Sequence, residues 1–257
     1  MLITAKDNPK IKRVAGLVSS AKKRREAGLF VLEGSRLCEE ALKENISVAE
    51  LYFTSDAEKQ HTELINALAK KAVFNSLVSK EVFSKISDTN SPQGILLTVS
   101  LKEEFNNRFK GKWLGFERIA DPSNLGAAAR TAEALGFNGI ILSKNGVDPY
   151  SPKSLRASMG ALLRIPVFVA EDFNKQVLKL KESGFVVSGA VVNSDAKKIN
   201  KVSYSTDEIA LIGNEAQGLT EEVKCLCDRL ITIPMKGRAE SLNAAAAATI
   251  IMWEMSK

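Results

Sequence analysis

Five polar side chains stand on loops that lead from a strand into a helix, and they are the residues of this chain best suited to chemistry: Asn124, Arg130, Glu215, Ser241 and Asn243. Ser241 and Asn243 come after Ile233-Pro234-Met235-Lys236-Gly237, where Pro234 and Gly237 stop a short strand and force a loop. Ser241 is read as the N-cap of a helix over 242–255, its hydroxyl accepting from free first-turn N–H groups. Glu215 sits in a turn after Gly213-Asn214, and Asn124 precedes Leu125-Gly126. Arg130 lies between Ala129 and Thr131, and a charge among small residues needs a partner. Amides, a hydroxyl, a carboxylate and a guanidinium at the mouth of small-residue helices suit a small-molecule site. Each also has a structural role open to it: Asn124 as a helix start, Glu215 as an acceptor for backbone N–H groups, Ser241 as a cap.

Other chemistries are excluded by type and spacing. The single histidine, His61, follows Lys59-Gln60 in a polar stretch, so no imidazole stands near these loops. Cys38, Cys225 and Cys227 form no spaced set, and Cys225-x-Cys227 lacks a second pair, so no metal is expected and the thiols are read as reduced. Neither Gly-x-Gly-x-x-Gly nor Gly-x-x-x-x-Gly-Lys-Ser/Thr occurs, which disfavours a dinucleotide or P-loop nucleotide enzyme.

The elements that must position these residues alternate. Strands are expected at 113–120, 139–142, 166–169, 185–191, 208–212 and 230–233, with helices between them, including 127–135 and one opened by Thr220. Alternation of this kind predicts a mostly parallel sheet, and in open α/β sheets ligands bind at the carboxyl ends of the strands. Upstream, a basic helix over 11–26, a strand at 29–32, a helix at 36–43 capped by Ser35, a strand at 48–53, a helix from 54 or 55 through 69, an extended 71–74, a helix at 80–86 and a strand at 94–99 make a smaller α/β unit. The expected organisation is 1–100, a polar linker over 101–112, and 113–257.

With 257 residues, 45% of them hydrophobic, the chain has enough apolar content for one large domain or two ordinary ones. The net charge of +6 is uneven: Lys6, Lys10, Lys12, Arg13, Lys22, Lys23, Arg24, Arg25 and Arg36 face only Asp7, Glu26 and Glu33 over that stretch. A basic block at one end is the footprint of a polyanion, most simply nucleic acid, and Lys12, Arg13, Lys22, Lys23, Arg24 and Arg25 are the candidate RNA contacts. A solvated helix face is the other reading of the same charges. No apolar run reaches membrane-span length and no signal-peptide core is present, so a cytoplasmic protein is expected.

Three stretches in order carry a family resemblance: Asp121-Pro122-Ser123-Asn124-Leu125-Gly126-Ala127-Ala128-Ala129-Arg130-Thr131-Ala132, then Leu211-Ile212-Gly213-Asn214-Glu215-Ala216-Gln217-Gly218-Leu219, then Ile233-Pro234-Met235 through Ser241-Leu242-Asn243. With Arg156-Ala157-Ser158-Met159-Gly160 between them, residues 113–257 resemble the SpoU (TrmH-like) branch of the SPOUT RNA 2′-O-ribose methyltransferases. Phe30-Val31-Leu32-Glu33-Gly34-Ser35-Arg36 and Ser91-Pro92-Gln93-Gly94-Ile95 resemble the substrate-binding domain fused before such methylases, itself similar to small ribosomal RNA-binding proteins.

The resemblance implies a deep trefoil knot in the C-terminal domain, bound S-adenosylmethionine, a homodimer through that domain, and structured RNA, ribosomal rather than transfer RNA, as substrate. It places Gly213, Ile233, Met235 and Leu242 at the cofactor and Asn124, Arg130, Glu215, Ser241 and Asn243 on active-site positions. Two residues depart from the pattern: Ala216 where glycine is usual, which matters only if that position needs positive φ, and Ala244 where valine is usual. A tRNA 2′-O-methyltransferase and a catalytically silent RNA-binding or ribosome-assembly factor are the competing readings.

Overall fold

The computed structural model describes residues 2–101 and 109–257. The expected linker lies mostly outside the described residues. The chain divides into two compact units. One holds the described residues up to 101 together with Tyr150–Leu163, and the other holds 109–149 and Arg164–Lys257.

The first unit opens with β1 (Leu2–Ile3), α1 (Pro9–Ser19) and α2 (Ala21–Ala27). The single basic helix expected over 11–26 is therefore two: Ser20 adopts an extended backbone and its hydroxyl accepts from the Lys23 N–H, starting a second helix. Next come β2 (Leu29–Glu33), α3 (Ser35–Lys43), β3 (Val48–Phe53), α4 (Ser55–Gln60), α5 (Thr62–Lys71), β4 (Phe74–Val78), α6 (Lys80–Ile86) and β5 (Ile95–Ser100). Three local expectations shift. Gly34, not Ser35, precedes α3, and the Ser35 N–H donates to Gln93 Oε1 at 2.8 Å. The helix expected from 54 to 69 breaks at His61, and helix rather than extended chain occupies Lys71. The sheet order is β1-β4-β3-β5-β2, with β1, β4 and β3 parallel and β5 antiparallel to both its neighbours. Ile11, Val14 and Leu17 of α1 pack with Val82, Phe83 and Ile86 of α6 into its core.

The second unit runs through β6 (Lys112–Phe116), α7 (Pro122–Ala134) and β7 (Gly139–Ser143). It resumes after α8 (Pro152–Ser158) and α9 (Ala161–Arg164) with β8 (Val167–Ala170), α10 (Phe173–Glu182), β9 (Val186–Ala190), β10 (Lys197–Lys198), β11 (Glu208–Ile212), α11 (Glu221–Leu226), β12 (Arg229–Thr232) and α12 (Ala244–Ser256). Residues 150–163, expected inside the C-terminal domain, cluster with the first unit instead. Tyr150 lies 4.9 Å from the Phe30 ring centre, and α8 packs on β2.

Seven parallel strands form the second sheet, in the order β10-β12-β9-β11-β6-β7-β8. Continuous apolar runs such as Gly-Ile-Ile-Leu in β7 are fully buried, as strands covered on both faces require. Trp113, Ile209 and Leu211 join Phe173, Val177 and Leu180 of α10 and Val223 of α11 in one core, while α7 and α12 pack on each other and on β6, β7 and β11. The fold is α/β with parallel strands. Fully buried Glu208 at the start of β11 is bonded by Arg229 Nη2 (2.5 Å), the Ser188 hydroxyl (2.6 Å) and the Ser205 N–H (2.8 Å), so its charge is compensated.

Candidate active site

Because β6 and β11 are neighbours, the loops leaving their carboxyl ends meet. Glu215, on the β11 loop, accepts from the backbone N–H of Ala120 (3.1 Å) and Asp121 (3.2 Å) and from Asn124 Nδ2 (3.0 Å). Asn124 Oδ1 accepts in turn from Asn243 Nδ2 at 2.8 Å, and Asn243 Oδ1 accepts from the N–H groups of Ala245 (2.9 Å) and Ala246 (3.3 Å). A hydrogen-bonded chain thus runs from the β11 loop through the first turn of α7 to the N-terminus of α12. Burial pushes the Glu215 carboxyl up, but the Asn124 amide and the backbone N–H groups of Glu215, Asp121 and Ala120 outweigh it and hold the group below the ordinary glutamate range. It is an ionised anchor for three donors.

Two helix starts differ from expectation. α7 begins at Pro122, with Asp121 as cap accepting from the Ser123 N–H, so Asn124 lies inside the helix and is buried. The cap of α12 is Asn243, not Ser241. Asn is as strong a cap as Ser and here receives two N–H groups. Ser241 is left exposed with no hydrogen-bond partner among the described residues.

Ser241 instead lines a cavity of about 840 Å³, within the roughly 300–1,000 Å³ range of small-molecule sites. Gly213, Glu215, Ile233, Met235 and Leu242 line it too. The β11 loop is held closed by paired backbone bonds between Asn214 and Gly218 (2.8 and 3.1 Å). At Gly213 a Cβ would lie 2.0 Å from the Gly218 carbonyl carbon and 2.1 Å from the Leu219 nitrogen, so only glycine permits this closure. Gly218 takes the positive φ of the turn (+69°); Ala216 has no positive φ, so alanine there is unstrained. Ala244 is the first residue of α12 and also lines the cavity.

Arg130 does not join this group. It is six residues beyond Asn124 on α7, about 120° around the helix, exposed, and without a hydrogen bond or ion pair among the described residues. Periodicity explains it: Leu125, Ala128, Ala129 and Ala132 face inward, while Ala127 and Arg130 fall on the outer stripe. The expectation that a charge among small residues needs a partner is corrected: on the outer stripe Arg130 is solvated.

Among the basic candidates of the first unit, Arg24 is removed from the exposed set. It is buried, and its Nη1 donates to the carbonyls of Leu17 (2.5 Å) and Val18 (3.1 Å), which the end of α1 leaves unpaired. Arg13 is bound to buried Glu50 at 2.5 Å and Lys22 faces Glu26 at 3.8 Å. Lys12, Lys23 and Arg25 stay exposed.

Sequence reasoning missed two positioning residues. Buried Glu117 accepts from the N–H and hydroxyl of Thr220, both at 2.8 Å, tying the end of β6 to the start of α11. Its signal was a carboxylate directly after the apolar strand. Asn214 accepts from the N–H groups of Ala216 and Gln217 and donates to the Arg118 carbonyl at 2.9 Å. Arg118 has left-handed backbone, φ +57°.

An α/β chain with a polar chain of three loops beside a ligand-sized cavity at the carboxyl edge of its parallel sheet defines a small-molecule-dependent α/β enzyme. Comparison with known proteins narrows this. Residues 113–253 match the SpoU rRNA Methylase family, and residues 8–97 match the MRM3-like substrate binding domain. The chain belongs to the SpoU rRNA methylase family. It is 32% identical over 254 residues to an uncharacterized tRNA/rRNA methyltransferase of Synechocystis, covering 98% of this chain and 92% of the relative. It is 30% identical to the 23S rRNA (guanosine(2553)-2′-O)-methyltransferase of Bacillus subtilis, covering 91% of each. The fold matches the AdoMet-bound rRNA methyltransferase of Sinorhizobium meliloti with a TM-score of 0.86 at 27% identity, over 99% of this chain and 97% of that one.

Proposed function

We propose that this chain transfers a methyl group from S-adenosylmethionine to a ribose 2′ oxygen of large-subunit ribosomal RNA. The observation that carries the reading is the Glu215–Asn124–Asn243 chain at the edge of the cavity lined by Gly213, Ile233, Met235 and Leu242. The cavity suits the donor: apolar walls from Ile233, Leu242 and Ile251 accept a flat base, and Glu215 and Glu240 supply negative charge for a sulfonium, while Glu221 is paired with Lys224, also in the lining, at 2.8 Å. When bound, the donor supplies a methyl carbon made electrophilic by its sulfonium.

The protein's own task is positioning. Glu215 fixes the β6 and β11 loops, Asn124 and Asn243 hold them against α12, and the Ser241 hydroxyl stands free at the cavity to orient the acceptor. The Arg130 guanidinium is a planar fork of donors with no acceptor, so its role is to clamp a substrate phosphate and stabilise the developing oxyanion. Since Arg130 does not touch its own cavity, that role is exercised through a homodimer. Support comes from α12, where Ala246, Thr249, Ile250 and Trp253 form one exposed stripe at i, i+3, i+4 and i+7, with Trp253 56% exposed. Thr249 meets Thr131 beside Arg130 at 3.2 Å. The trefoil knot is part of the same reading: β12 sits beyond β9, while α12 returns to α7, β6 and β11. The site assignment, the RNA-binding role of residues 1–100 and a cytoplasmic location are further parts of it; no helix among the described residues is long and apolar enough to cross a membrane.

The test is incorporation of labelled methyl from S-adenosylmethionine into large-subunit rRNA, with the modified position mapped. Ribose methylation is expected from the native chain. Arg130→Ala is expected to lose turnover while calorimetry finds its S-adenosylmethionine affinity unchanged. Trp253→Asp is expected to shift the chain to monomer by light scattering. Absence of donor binding, or methylation of a base instead of a ribose, refutes the proposal.

A further inference from the structure

The first unit carries a second cavity, of about 240 Å³, lined by Lys6, Lys12, Lys23 and Lys85 around α1. Its floor is one stripe of that helix: Lys12, Ala15, Gly16 and Ser19 fall at i, i+3, i+4 and i+7. Lys23 reaches over from α2, Lys85 from α6 and Lys6 from the turn before α1. Among the described residues no carboxylate lines the cavity. None of the four ammonium groups has a hydrogen bond or ion pair among the described residues; the acidic group electrostatically coupled to Lys6 is exposed Glu81. The other cations of α1 and α2, apart from exposed Arg25, are committed elsewhere. Lys10 sits over the Phe74 ring and near Glu50, Arg13 binds Glu50, Lys22 faces Glu26, and Arg24 caps α1. Four like charges held around one small cleft raise the energy of the empty protein, and an anion removes that cost.

We infer that this cleft binds the RNA backbone, with Lys6, Lys12, Lys23 and Lys85 gripping adjacent phosphates. The inference rests on RNA as substrate and adds the place where the phosphates sit. Two of the four cations, Lys6 and Lys85, lie outside the basic helix singled out in the sequence. A polyanion fits better than a compact metabolite: the polar groups of the lining are four ammonium groups and the one hydroxyl of Ser19, whose proton goes to the Ala15 carbonyl, and ammonium groups act as point charges on phosphate. Gly16 sets its shape. A Cβ there would lie 2.7 Å from Lys23 Cδ, so a side chain at residue 16 shifts the flexible stem of Lys23 from its place across the helix.

The experiment measures binding of the full chain to transcribed large-subunit rRNA across a salt series, with three variants. Replacing Lys6, Lys12, Lys23 and Lys85 together by Gln removes the grip. Replacing Lys59, Lys70, Lys175 and Lys179 by Gln changes net charge equally elsewhere. Gly16→Ala displaces Lys23 with no change of charge and favours the helix. The groove variant is expected to lose roughly 2 to 4 from the slope of log K against log salt, at about 0.7–0.9 per phosphate contact. The distant variant is expected to keep most of the slope, and Gly16→Ala to bind several-fold more weakly with no loss of thermal stability. S-adenosylmethionine affinity, measured in parallel, stays at the native value in all three. Equal losses in both lysine variants, or native binding by the groove variant, overturn the inference and leave the RNA reading intact. Inorganic polyphosphate competing at the cleft while RNA binding ignores the substitutions overturns it as well. No RNA binding by the native chain overturns both.

Discussion

Replacing Glu215 tests the site at its most connected point. Its carboxylate receives three donors, from Ala120, Asp121 and Asn124, at 3.0–3.2 Å. A hydrogen bond contributes about 0.5–1.5 kcal/mol net, and because Glu215 is solvent-facing the lower part of that range applies. Glu215→Ala therefore costs about 2–3 kcal/mol of loop ordering. At 1.36 kcal/mol per tenfold in rate this is roughly a 30- to 150-fold fall in kcat/KM if the ordered loops are what the transition state needs. Glu215→Gln keeps one oxygen, turns an N–H₂ toward a donor, and is expected to lose about threefold to fivefold, one bond's worth. The assay is single-turnover methyl transfer to rRNA with donor affinity measured alongside. Glu215→Ala within twofold of the native rate refutes the reasoning.

The same residue fixes a pH dependence. Its folded value lies below the ordinary glutamate value of 4.5, so its contribution is complete above that value and fades as pH falls through the folded one. Between pH 5 and 8 the Glu215 anchor is fully charged, and donor binding is expected to show no step from it. In Glu215→Gln the loss of donor affinity below pH 4.5 is expected to flatten, as followed by calorimetry in acetate and formate buffers.

Three further outcomes are expected. Arg24→Met leaves the Leu17 and Val18 carbonyls at the end of α1 without their guanidinium and costs about 2–3 kcal/mol, which lowers the melting temperature of the first unit by roughly 10 °C in calorimetry with no specific change in RNA salt dependence. Gly213→Ala drives a Cβ into Gly218 and Leu219 backbone at 2.0–2.1 Å, which costs about 3 kcal/mol and abolishes donor binding by calorimetry. Asn243→Asp keeps the α12 cap, since Asp is as good a cap as Asn, but loses the bond to Asn124 Oδ1; it is expected to hold its thermal stability and lose about tenfold in methyl transfer.

The three loops were legible because their chemistry is local. A strand that ends in Gly or Pro, followed by a polar residue and small helical residues, reads as a strand–loop–helix unit wherever it occurs, so Asn124, Glu215 and Asn243 could be placed at the carboxyl edge. That they touch depends on β6 lying beside β11, a pairing between residues about a hundred positions apart that no local pattern encodes. Cap choice was illegible for a different reason. Ser241 and Asn243 are both favoured caps two residues apart, and the Asn124 side chain, distant in sequence, favours Asn243. Arg24 could not be separated from Lys22, Lys23 and Arg25 by composition. The break at Ser20 turns α2 back so that one of four neighbouring cations meets the bare carbonyls of α1.

Asn243 and Glu215 show why structural and catalytic readings of these residues do not compete. Asn243 uses Oδ1 to cap α12 and Nδ2 to hold Asn124, so the start of the alanine helix and the geometry of the site are set by one amide. Glu215 likewise spends its carboxylate on backbone N–H groups, which is the bland role open to it from sequence, yet those N–H groups belong to the loop that opens α7. A site assembled in this way draws its rigidity from the bonds that end and begin the surrounding elements. In the proposed site, Ser241 and Arg130, the two residues free of such bonds, are the ones left available to meet a substrate.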